Sequence, residues 1–258
     1  MIAHSFRVVF SIVALCLALA TSHAAQASGH SSPFRVDFLD CVESIGVGLA
    51  PTANVVALVP PEFIPVGIGT PVSPIVVRTS DCAGISVDGD RPKPGSIVQI
   101  GAVIVPPEPG VGDINNYTIW YYTTDARLAR RLQDLGVSAQ HVPTIRYDLD
   151  PEQTGVPNDL SVTVRRPGRP RFALEGTVIP SESPTGSFEA VWWQKTRAAT
   201  VKMDTLVPVI AISSADLLLQ THAGNALGKL IGGDTLGFPI VQQFNTFSRA
   251  RMRVNAAP

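Results

Sequence analysis

The sequence predicts a mainly β fold with a minority of helix (β-rich α+β): a single antiparallel β-barrel, cone-shaped or sandwich-like, with two or three short helices on its outside. Two observations lead to this prediction. About ten short runs are rich in β-branched and aromatic residues, and clusters of Gly, Pro, Asp and Asn separate them. Helical patterns are few, and no repeat, low-complexity tract or linker indicates a second domain.

The first strand is predicted at residues 34–38, because Phe34, Val36 and Phe38 alternate with charged residues. Similar runs recur at 75–79, 97–105, 117–123, 144–149, 160–165, 171–179, 188–193, 199–203 and 244–254. A Pro-Gly-Arg-Pro tetrapeptide predicts a hairpin turn over residues 165–171.

Three helical segments interrupt the strands. Thr124 can cap a helix over residues 125–135, and Gly136 stands where a left-handed C-terminal residue is favoured. A second helix is predicted from residue 213 or 214 toward 230, with a kink at Gly224. A short helical turn over 52–59 must end at the Pro-Pro pair that follows it.

The N-terminus has the three parts of a secretory signal. Arg7 supplies a positive charge, residues 8–20 form a largely apolar run, and Ala25-Gln26-Ala27 fits a small-x-small cleavage site, with a cut after Ala24 as the alternative. The apolar run is shorter than the roughly 20 residues that span a bilayer. We therefore expect residues 1–27 to be removed, and residues 28–258 to form one exported domain, extracellular or periplasmic, that does not remain attached to a membrane.

Composition excludes two broad classes of protein. The chain is 45% hydrophobic and has a net charge of -1, whereas disordered chains combine low hydrophobicity with high net charge. Lys and Arg number 20 against 21 Asp and Glu. Because no net positive field would attract a polyanion, we expect no nucleic-acid partner.

Loss of the signal leaves one pair of cysteines. Cys16 lies inside the apolar run, so Cys41 and Cys82 are the two that remain. In an exported protein such a pair favours a disulfide, which stabilises the fold by roughly 3 to 4 kcal/mol in the chain-entropy model. The alternative is a catalytic thiol with a histidine partner, and nothing local to either cysteine supports it.

Motifs for cofactors and metals are absent from the sequence. There is no nucleophile elbow, phosphate loop, dinucleotide fingerprint or His-Glu-x-x-His. After the signal only His30, His141 and His222 remain, and no two have the spacing of metal ligands. We therefore expect no cofactor and no metal, and no motif predicts a protein partner or an oligomeric state.

The order of features resembles the acetoacetate decarboxylase-like family across most of residues 34–254. An early Leu-Val-Pro-Pro-Glu-Phe segment at 58–63 precedes long apolar strands. Residues 117–136 then form a strand, a helix and a glycine, and a late strand pair comes before the predicted helix near 214–232. The resemblance implies a cone-shaped barrel around a small apolar cavity. It also implies a lysine, shortly after the helix-ending glycine, that forms a Schiff base with a 3-oxo acid.

The sequence departs from that family at the lysine. Residues 136–141 are Gly-Val-Ser-Ala-Gln-His, without an amine, and the four lysines of the chain, Lys93, Lys195, Lys202 and Lys229, lie elsewhere. Lys195 follows Trp193 closely, but a lysine at a turn is normally solvated. Without an amine no imine forms, so we expect the fold and the cavity without Schiff-base decarboxylase activity.

Two functions follow from the sequence. The first is noncovalent binding of a small apolar or oxo-acid molecule, and the second is a lyase or hydrolase activity that uses groups other than lysine. The candidate ligand-binding residues are Glu43, Arg78, Trp120, His141 and Glu175, and Asp81 joins them for the enzymatic alternative. A fully packed barrel would instead favour a structural or interaction module.

Overall fold

Strands dominate the chain over residues 32–165 and 171–257, the residues that the computed structural model describes. The helices are α1 (Thr52–Val56), α2 (Ala126–Asp134) and α3 (Ala226–Ile231). The strands are β1 (Phe34–Pro51), β2 (Val72–Val87), β3 (Lys93–Val103), β4 (Ile114–Thr123), β5 (Ala139–His141), β6 (Arg146–Asp150), β7 (Asn158–Val164), β8 (Phe172–Val178), β9 (Gly186–Lys195), β10 (Thr200–Thr221), β11 (Thr235–Gly237) and β12 (Val241–Ala257). The mainly β prediction is confirmed, and the predicted signal at 1–27 lies outside the described residues.

Seven of these strands close into a barrel. The pairing runs β12-β1-β2-β3-β4-β9-β10, and β10 pairs again with β12 to complete the ring. All neighbours in the ring are antiparallel except β4 and β9, which pair in parallel over 114–117 and 190–193. A parallel pair needs a long crossover connection, and here residues 124–185 provide it.

The crossover carries a second sheet on the outside of the barrel. Strand β10 is long enough to belong to both sheets: residues 200–214 line the ring, and residues 215–221 pair with β8. Strands β7 and β6 extend this sheet, and β11 pairs with the end of β10. The second sheet and the outward side of the barrel share one apolar core, the outer core. It contains Leu160, Leu174 and Leu219 of the second sheet and the outward side chains Val77 and Ile100 of the barrel.

A separate core, the interior core, occupies part of the barrel interior. It contains inward side chains of the ring strands, such as Phe38, Val76 and Met252. The α2 leucines Leu128 and Leu132 belong to the same core. This helix therefore packs its apolar face against the interior core, while residues such as Arg127 and Arg130 on its other face are exposed, as predicted for a helix on the outside of the barrel.

The long helix predicted from residue 213 or 214 toward 230 is wrong. Strand β10 continues to Thr221, and only Ala226–Ile231 is helical. The segment is apolar at Leu217, Leu218 and Leu219, so its periodicity does not distinguish a strand from a helix. Pairing with β8 and β12 decides the conformation.

The other local predictions agree more closely with the structure. Helix α2 forms where the sequence predicts it, although Asp125 rather than Thr124 caps it by accepting a hydrogen bond from the Leu128 backbone N–H. Helix α1 begins at Thr52, as predicted. Strands β7 and β8 pair antiparallel as a hairpin, whose turn residues 166–170 lie outside the described residues.

The predicted disulfide is present between β1 and β2. Cys41 and Cys82 are directly opposite each other, with Cα atoms 4.1 Å apart. Both are buried in the interior core. The disulfide therefore joins the two strands from inside the barrel.

Candidate functional site

A cavity of about 240 Å³ lies inside the barrel. Side chains of β1, β2, β4, β9, β10 and β12 line it, together with one residue from the loop before β4. The lining residues are Glu43, Ile45, Val47, Val76, Arg78, Asp113, Ile114, Asn116, Phe188, Ala190, Trp192, Thr205, Val207, Val241 and Gln243. The barrel interior is therefore not fully packed, in contrast to the structural-module alternative.

The cavity has a buried end and a more exposed end. Asp113, which is exposed, and the half-buried Ile114, Phe188, Val241 and Gln243 lie at the exposed end. The remaining lining residues are almost fully buried. Alternation along each strand explains the lining, because residues two apart on a strand point to the same side.

Glu43 and Arg78 form an ion pair at the buried end. Arg78 Nε donates to Glu43 Oε2 at 2.5 Å, and the two side chains are 7% and 2% exposed respectively. Ser80 Oγ donates to the same oxygen at 2.9 Å, and Asn245 Nδ2 approaches Oε1 at 3.3 Å. The strand register produces this arrangement, since Ser80 and Asn245 stand directly opposite Glu43 on its two neighbouring strands.

Arg78 extends the network to β3. Its Nη1 approaches Gln99 Oε1 at 3.4 Å, and Gln99 Nε2 approaches Thr118 Oγ1 at the same distance. Nη2 of Arg78 donates no hydrogen bond within the part of the chain that the structure describes. This group remains available to an acceptor atom in the cavity.

Three further polar residues, from β4, β9 and β10, line the cavity. Asn116 Oδ1, Trp192 Nε1 and Thr205 Oγ1 have no hydrogen-bond partner among the described residues. Buried polar atoms are normally hydrogen-bonded, and a buried Trp N–H usually finds an acceptor. These three atoms are therefore buried and unsatisfied, on residues that line the cavity.

Two further titratable groups lie close to this region. Burial raises the pKa of the Tyr121 hydroxyl, and the nearby Arg78 charge only partly opposes this rise. Burial likewise raises the pKa of Asp81, against a hydrogen bond from Ser96 Oγ. Tyr121 belongs to the interior core, whereas Asp81 does not line the cavity.

The structure brings together two of the five predicted ligand-binding residues. Glu43 and Arg78 both line the cavity, where they form the ion pair. Trp120 is half-buried against the outer core. His141 is exposed on β5 with Nε2 3.1 Å from the Thr124 carbonyl oxygen, and Glu175 is exposed on β8 beside Gln220.

The sequence did not point to the unsatisfied group as a site. Asn116 begins an Asn-x-Thr glycosylation sequence, but it is 1% exposed, so the folded chain offers no surface for glycosylation there. Trp192 and Trp193 are consecutive on β9 and therefore face opposite sides: Trp192 belongs to the interior core and Trp193 to the outer core. That alternation was the signal available for Trp192.

None of the four lysines lines the cavity. Lys93, Lys195 and Lys229 are exposed. Lys202 lies on the outer side of β10, where Nζ contacts Glu108 at 2.9 Å and lies 5.0 Å from the Trp193 ring centroid. The described cavity wall therefore contains no side-chain amine.

The arginines of the last strand interact with an acidic residue outside the cavity. Asp37 accepts from Arg251 Nε at 2.8 Å and lies within 3.6 Å of Arg249 and 3.1 Å of Arg35. Burial alone would raise the pKa of Asp37, but the hydrogen bond and the three positive charges outweigh burial and lower it. These arginines are thus neutralised in part by the protein itself.

The described residues contain neither a metal-binding cluster nor a helix that could span a membrane. No group of three or more His, Cys, Asp and Glu residues among them is arranged to hold a metal ion. None of their helices has the length and apolar character needed to cross a membrane.

No protein-family model and no curated protein sequence matches this chain. Solved structures do match it. The enduracididine biosynthesis enzyme MppR, complexed with pyruvate, superposes with a TM-score of 0.55 at 12% identity, over 92% of this chain and 95% of that one.

Two other solved structures point to the same fold. An acetoacetate decarboxylase-like enzyme from Sphingomonas wittichii RW1 matches with a TM-score of 0.52 at 11% identity, over 92% of this chain and 98% of that one. Acetoacetate decarboxylase from Legionella pneumophila subsp. pneumophila str. Philadelphia 1 matches with a TM-score of 0.51 at 11% identity, over 87% and 86% of the two chains. The chain therefore has the fold of the acetoacetate decarboxylase-like enzymes, as the order of its sequence features indicates.

Proposed function

We propose that this protein is an exported β-barrel protein that binds a small apolar or oxo-acid molecule in its interior cavity without forming an imine. The observation that carries the proposal is a cavity that extends into the barrel interior, with a lining that is apolar at most positions, an Arg78–Glu43 ion pair and no lysine. Small-molecule sites are typically apolar pockets with a few convergent polar groups.

The size of the cavity supports a small ligand. Its 240 Å³ falls just below the roughly 300 to 1,000 Å³ of drug-sized sites. Apolar side chains such as Val47, Val76 and Val207 suit a hydrocarbon portion, and Arg78 Nη2 suits a carbonyl or carboxylate oxygen. MppR, which shares the fold, has been solved with pyruvate, a small oxo acid.

Thermal stability provides the test of binding. A ligand that binds only the folded state at 100 times its Kd stabilises the protein by about 2.7 kcal/mol. We expect one or more members of a panel of small apolar and oxo-acid compounds to raise the melting temperature of the wild type. The effect should be lost or much smaller for Val207→Phe, in which the larger side chain occupies part of the cavity.

Val209→Phe is the matched control, because Val209 lies two residues farther along β10 and is 52% exposed. This variant should respond to the ligands as the wild type does. Binding in the cavity would be refuted if no compound raised the melting temperature of any of the three proteins, or if the compounds raised that of Val207→Phe as much as that of the wild type.

The absence of an imine is tested separately. A Schiff base requires a side-chain amine beside the substrate carbonyl, and the lysines lie outside the cavity lining. After incubation with a 3-oxo acid and borohydride, we expect intact-mass spectrometry to find no stable adduct. An adduct mapped to any lysine would overturn this part of the proposal.

Export rests on the predicted signal and on the disulfide. Disulfides persist mainly in oxidising compartments outside the cytosol, and Cys41–Cys82 is formed here. Expression of the full chain in the source cells, followed by N-terminal sequencing, should recover a protein outside the cytosol that begins after Ala27 or after Ala24. A chain retained in the cytosol with Met1 intact would contradict export.

The second candidate function is a lyase or hydrolase that uses the Glu43 carboxylate in place of a lysine. The solved structures with this fold include enzymes, and Glu43 is a carboxylate at a cavity, a type of group that can exchange a proton with a substrate. Assays of decarboxylation and ester hydrolysis with small 3-oxo acids and esters would test this function. Turnover that Glu43→Gln abolishes would support it, and absence of turnover would exclude it for these substrates.

A further inference from the structure

The apolar wall of the cavity continues past its exposed end on β1 and β2. Val47 and Val76 both line the cavity. Val47 is opposite Val76 on one side and Val241, at the exposed end, on the other. Leu49 lies two residues beyond Val47, and Val72 lies four residues before Val76. Because side chains alternate along a strand, Leu49 and Val72 point to the same side as the cavity lining.

Strand β3 continues in the same direction past its last residue, Val103. The Ile104 N–H donates to the Asn115 carbonyl oxygen at 2.9 Å, next to Ile114 at the exposed end of the cavity. Val103 packs against the interior core, whereas Ile104 belongs to the outer core. Val105, two residues beyond Val103, therefore points toward the mouth of the cavity.

Residues 64–66 pair with this extension of β3. Pro65 forms an isolated antiparallel bridge with Ile104. The bridge places Ile64 opposite Val105, whose N–H donates to the Ile64 carbonyl oxygen at 2.8 Å. Residues directly opposite each other in an antiparallel pair share one face. Ile64 therefore joins Val105 at the mouth of the cavity.

These side chains form a surface that we call the apolar rim. Its members are Leu49, Ile64, Val72 and Val105, which are 37%, 52%, 40% and 48% exposed. The chain segments that carry them are almost uncharged: residues 44–77 contain a single charged residue, Glu62, and residues 94–107 contain none. An exposed apolar surface that is continuous with a cavity is typical of a ligand-binding groove.

The cavity itself is too small for a long hydrocarbon chain. At roughly 30 Å³ for each non-hydrogen atom, the share of one water molecule in the liquid, its volume of about 240 Å³ holds about eight atoms. This is close to the size of an oxo acid of about six carbons. If the polar group of a ligand reaches Arg78 at the buried end, further carbons must leave through the exposed end, where the apolar rim begins.

We propose that the apolar rim binds the part of a hydrocarbon chain that emerges from the cavity, so that the ligand is an oxo acid with an aliphatic chain longer than the cavity holds. This inference rests on the proposed function and narrows its ligand class to amphiphiles. The alternative occupants of the rim are a second copy of the chain and a lipid surface. Neither segment 44–77 nor segment 94–107 contains a lysine or arginine, so the rim offers no cation to anionic lipid headgroups.

Three oxo acids of increasing length test the inference: 2-oxohexanoate, 2-oxooctanoate and 2-oxodecanoate. Isothermal titration calorimetry with the wild type measures their affinities. Complete burial of a methylene strengthens binding about fourfold. A chain on the half-exposed rim keeps about half of its surface in water, so we expect a gain of about twofold for each methylene and about 15-fold from 2-oxohexanoate to 2-oxodecanoate. Equal affinities for the three acids would overturn the inference while leaving binding in the cavity intact.

A triple variant locates the gain. Leu49→Asn, Val72→Thr, Val105→Thr makes the rim polar with little change in side-chain shape. It should bind 2-oxohexanoate as the wild type does, because that acid fits within the cavity, whereas its gain from 2-oxohexanoate to 2-oxodecanoate should fall below about threefold.

The matched control alters exposed apolar residues away from the mouth. Val156→Thr, Ile179→Thr, Leu218→Asn changes side chains that are 38%, 38% and 40% exposed. They lie on or beside the second sheet, at the loop before β7, after β8 and in the last part of β10. This variant should keep the full gain with chain length.

The outcomes are distinct for the two proposals. Binding of 2-oxohexanoate by the rim variant shows that it is folded and keeps its cavity, so a lost gain is then assigned to the rim. A gain that persists in the rim variant would place the chain elsewhere and overturn the inference. Failure of all three acids to bind the wild type would refute the proposed function for oxo acids, and the inference with it.

The alternative occupants are tested with the same proteins. We expect the wild type and the rim variant to have the same sedimentation coefficient, and neither to pellet with phosphatidylcholine vesicles. A wild type that dimerises when the rim variant does not would assign the rim to a second copy. Vesicle binding by the wild type alone would assign it to a lipid surface, and either result would contradict the inference.

Discussion

Replacing Arg78 by Met should destabilise the protein strongly. The change leaves the Glu43 carboxylate buried without its cation, and only Ser80 and Asn245 remain as hydrogen-bond donors to it. Both members of the pair are almost fully buried, and breaking such a pair costs about 3 to 5 kcal/mol. Urea unfolding followed by tryptophan fluorescence and circular dichroism measures the free energy of unfolding.

Two comparisons separate the ion pair from a general effect of losing an arginine. Arg127→Met removes an exposed ion pair with Asp90 and should cost less than about 1 kcal/mol. The double variant Glu43→Gln, Arg78→Met removes both charges and should recover most of the loss. A loss below about 1 kcal/mol for Arg78→Met, or a double variant less stable than the single one, would refute the reasoning.

Three further changes test other parts of the structure by the same unfolding measurement. Thr205→Val removes an unsatisfied hydroxyl and should stabilise the protein by about 1 kcal/mol. Thr79→Val removes a hydroxyl that is hydrogen-bonded to Ser44 and should destabilise the protein by a similar amount. If both variants changed the stability in the same direction, the hydrogen-bonding states of the two hydroxyls would be contradicted. The pKa of Asp37 is lowered in the folded state, so its contribution is present above its ordinary pKa and is lost as pH falls through the lowered value. Asp37→Asn should therefore be about 1 kcal/mol less stable than the wild type at pH 7, and the two proteins should have equal free energies of unfolding in strong acid. A difference in stability that does not change with pH would contradict this role of the Asp37 charge. Gly101→Ala would place Cβ 2.3 Å from a backbone oxygen of β4 and 2.8 Å from the Trp192 ring, so it should lower the free energy of unfolding by more than about 2 kcal/mol. Gly237→Ala is the control, because its Cβ meets no atom within 4 Å. Equal effects of the two variants would show that the structure relieves the close approach at Gly101.

The sequence was sufficient for much of the fold because its strands carry local signals. Phe34, Val36 and Phe38 alternate in the sequence and pack into the interior core. Gly136 follows α2 with a left-handed φ of 83°, as a helix-ending residue there predicts. The long β10 strand was missed because Leu217–Leu219 is apolar without a clear period. Its conformation depends on pairing with β8, about forty residues earlier, and local propensity does not report such long-range pairing.

The candidate site was predicted only in part, because its members come together through strand register. Glu43 and Arg78 are 35 residues apart in the chain, and their contact follows from the pairing of β1 with β2. Asn116, Trp192 and Thr205 come from three strands that the crossover brings together. Neither their common face nor their lack of partners can be recognised before the ring is closed. The missing lysine, in contrast, is a property of the sequence itself.

The central claim is that the cavity binds a small molecule noncovalently. Carbon-13 NMR of 2-oxohexanoate labelled at its keto carbon, titrated with the wild type and with Val207→Phe, tests it most directly, because one spectrum reports both binding and the chemical state of the carbonyl. We predict a saturable change with the wild type alone, in which the labelled carbon remains a ketone. The absence of a saturable change, or conversion of the ketone signal to that of an imine, would contradict the claim.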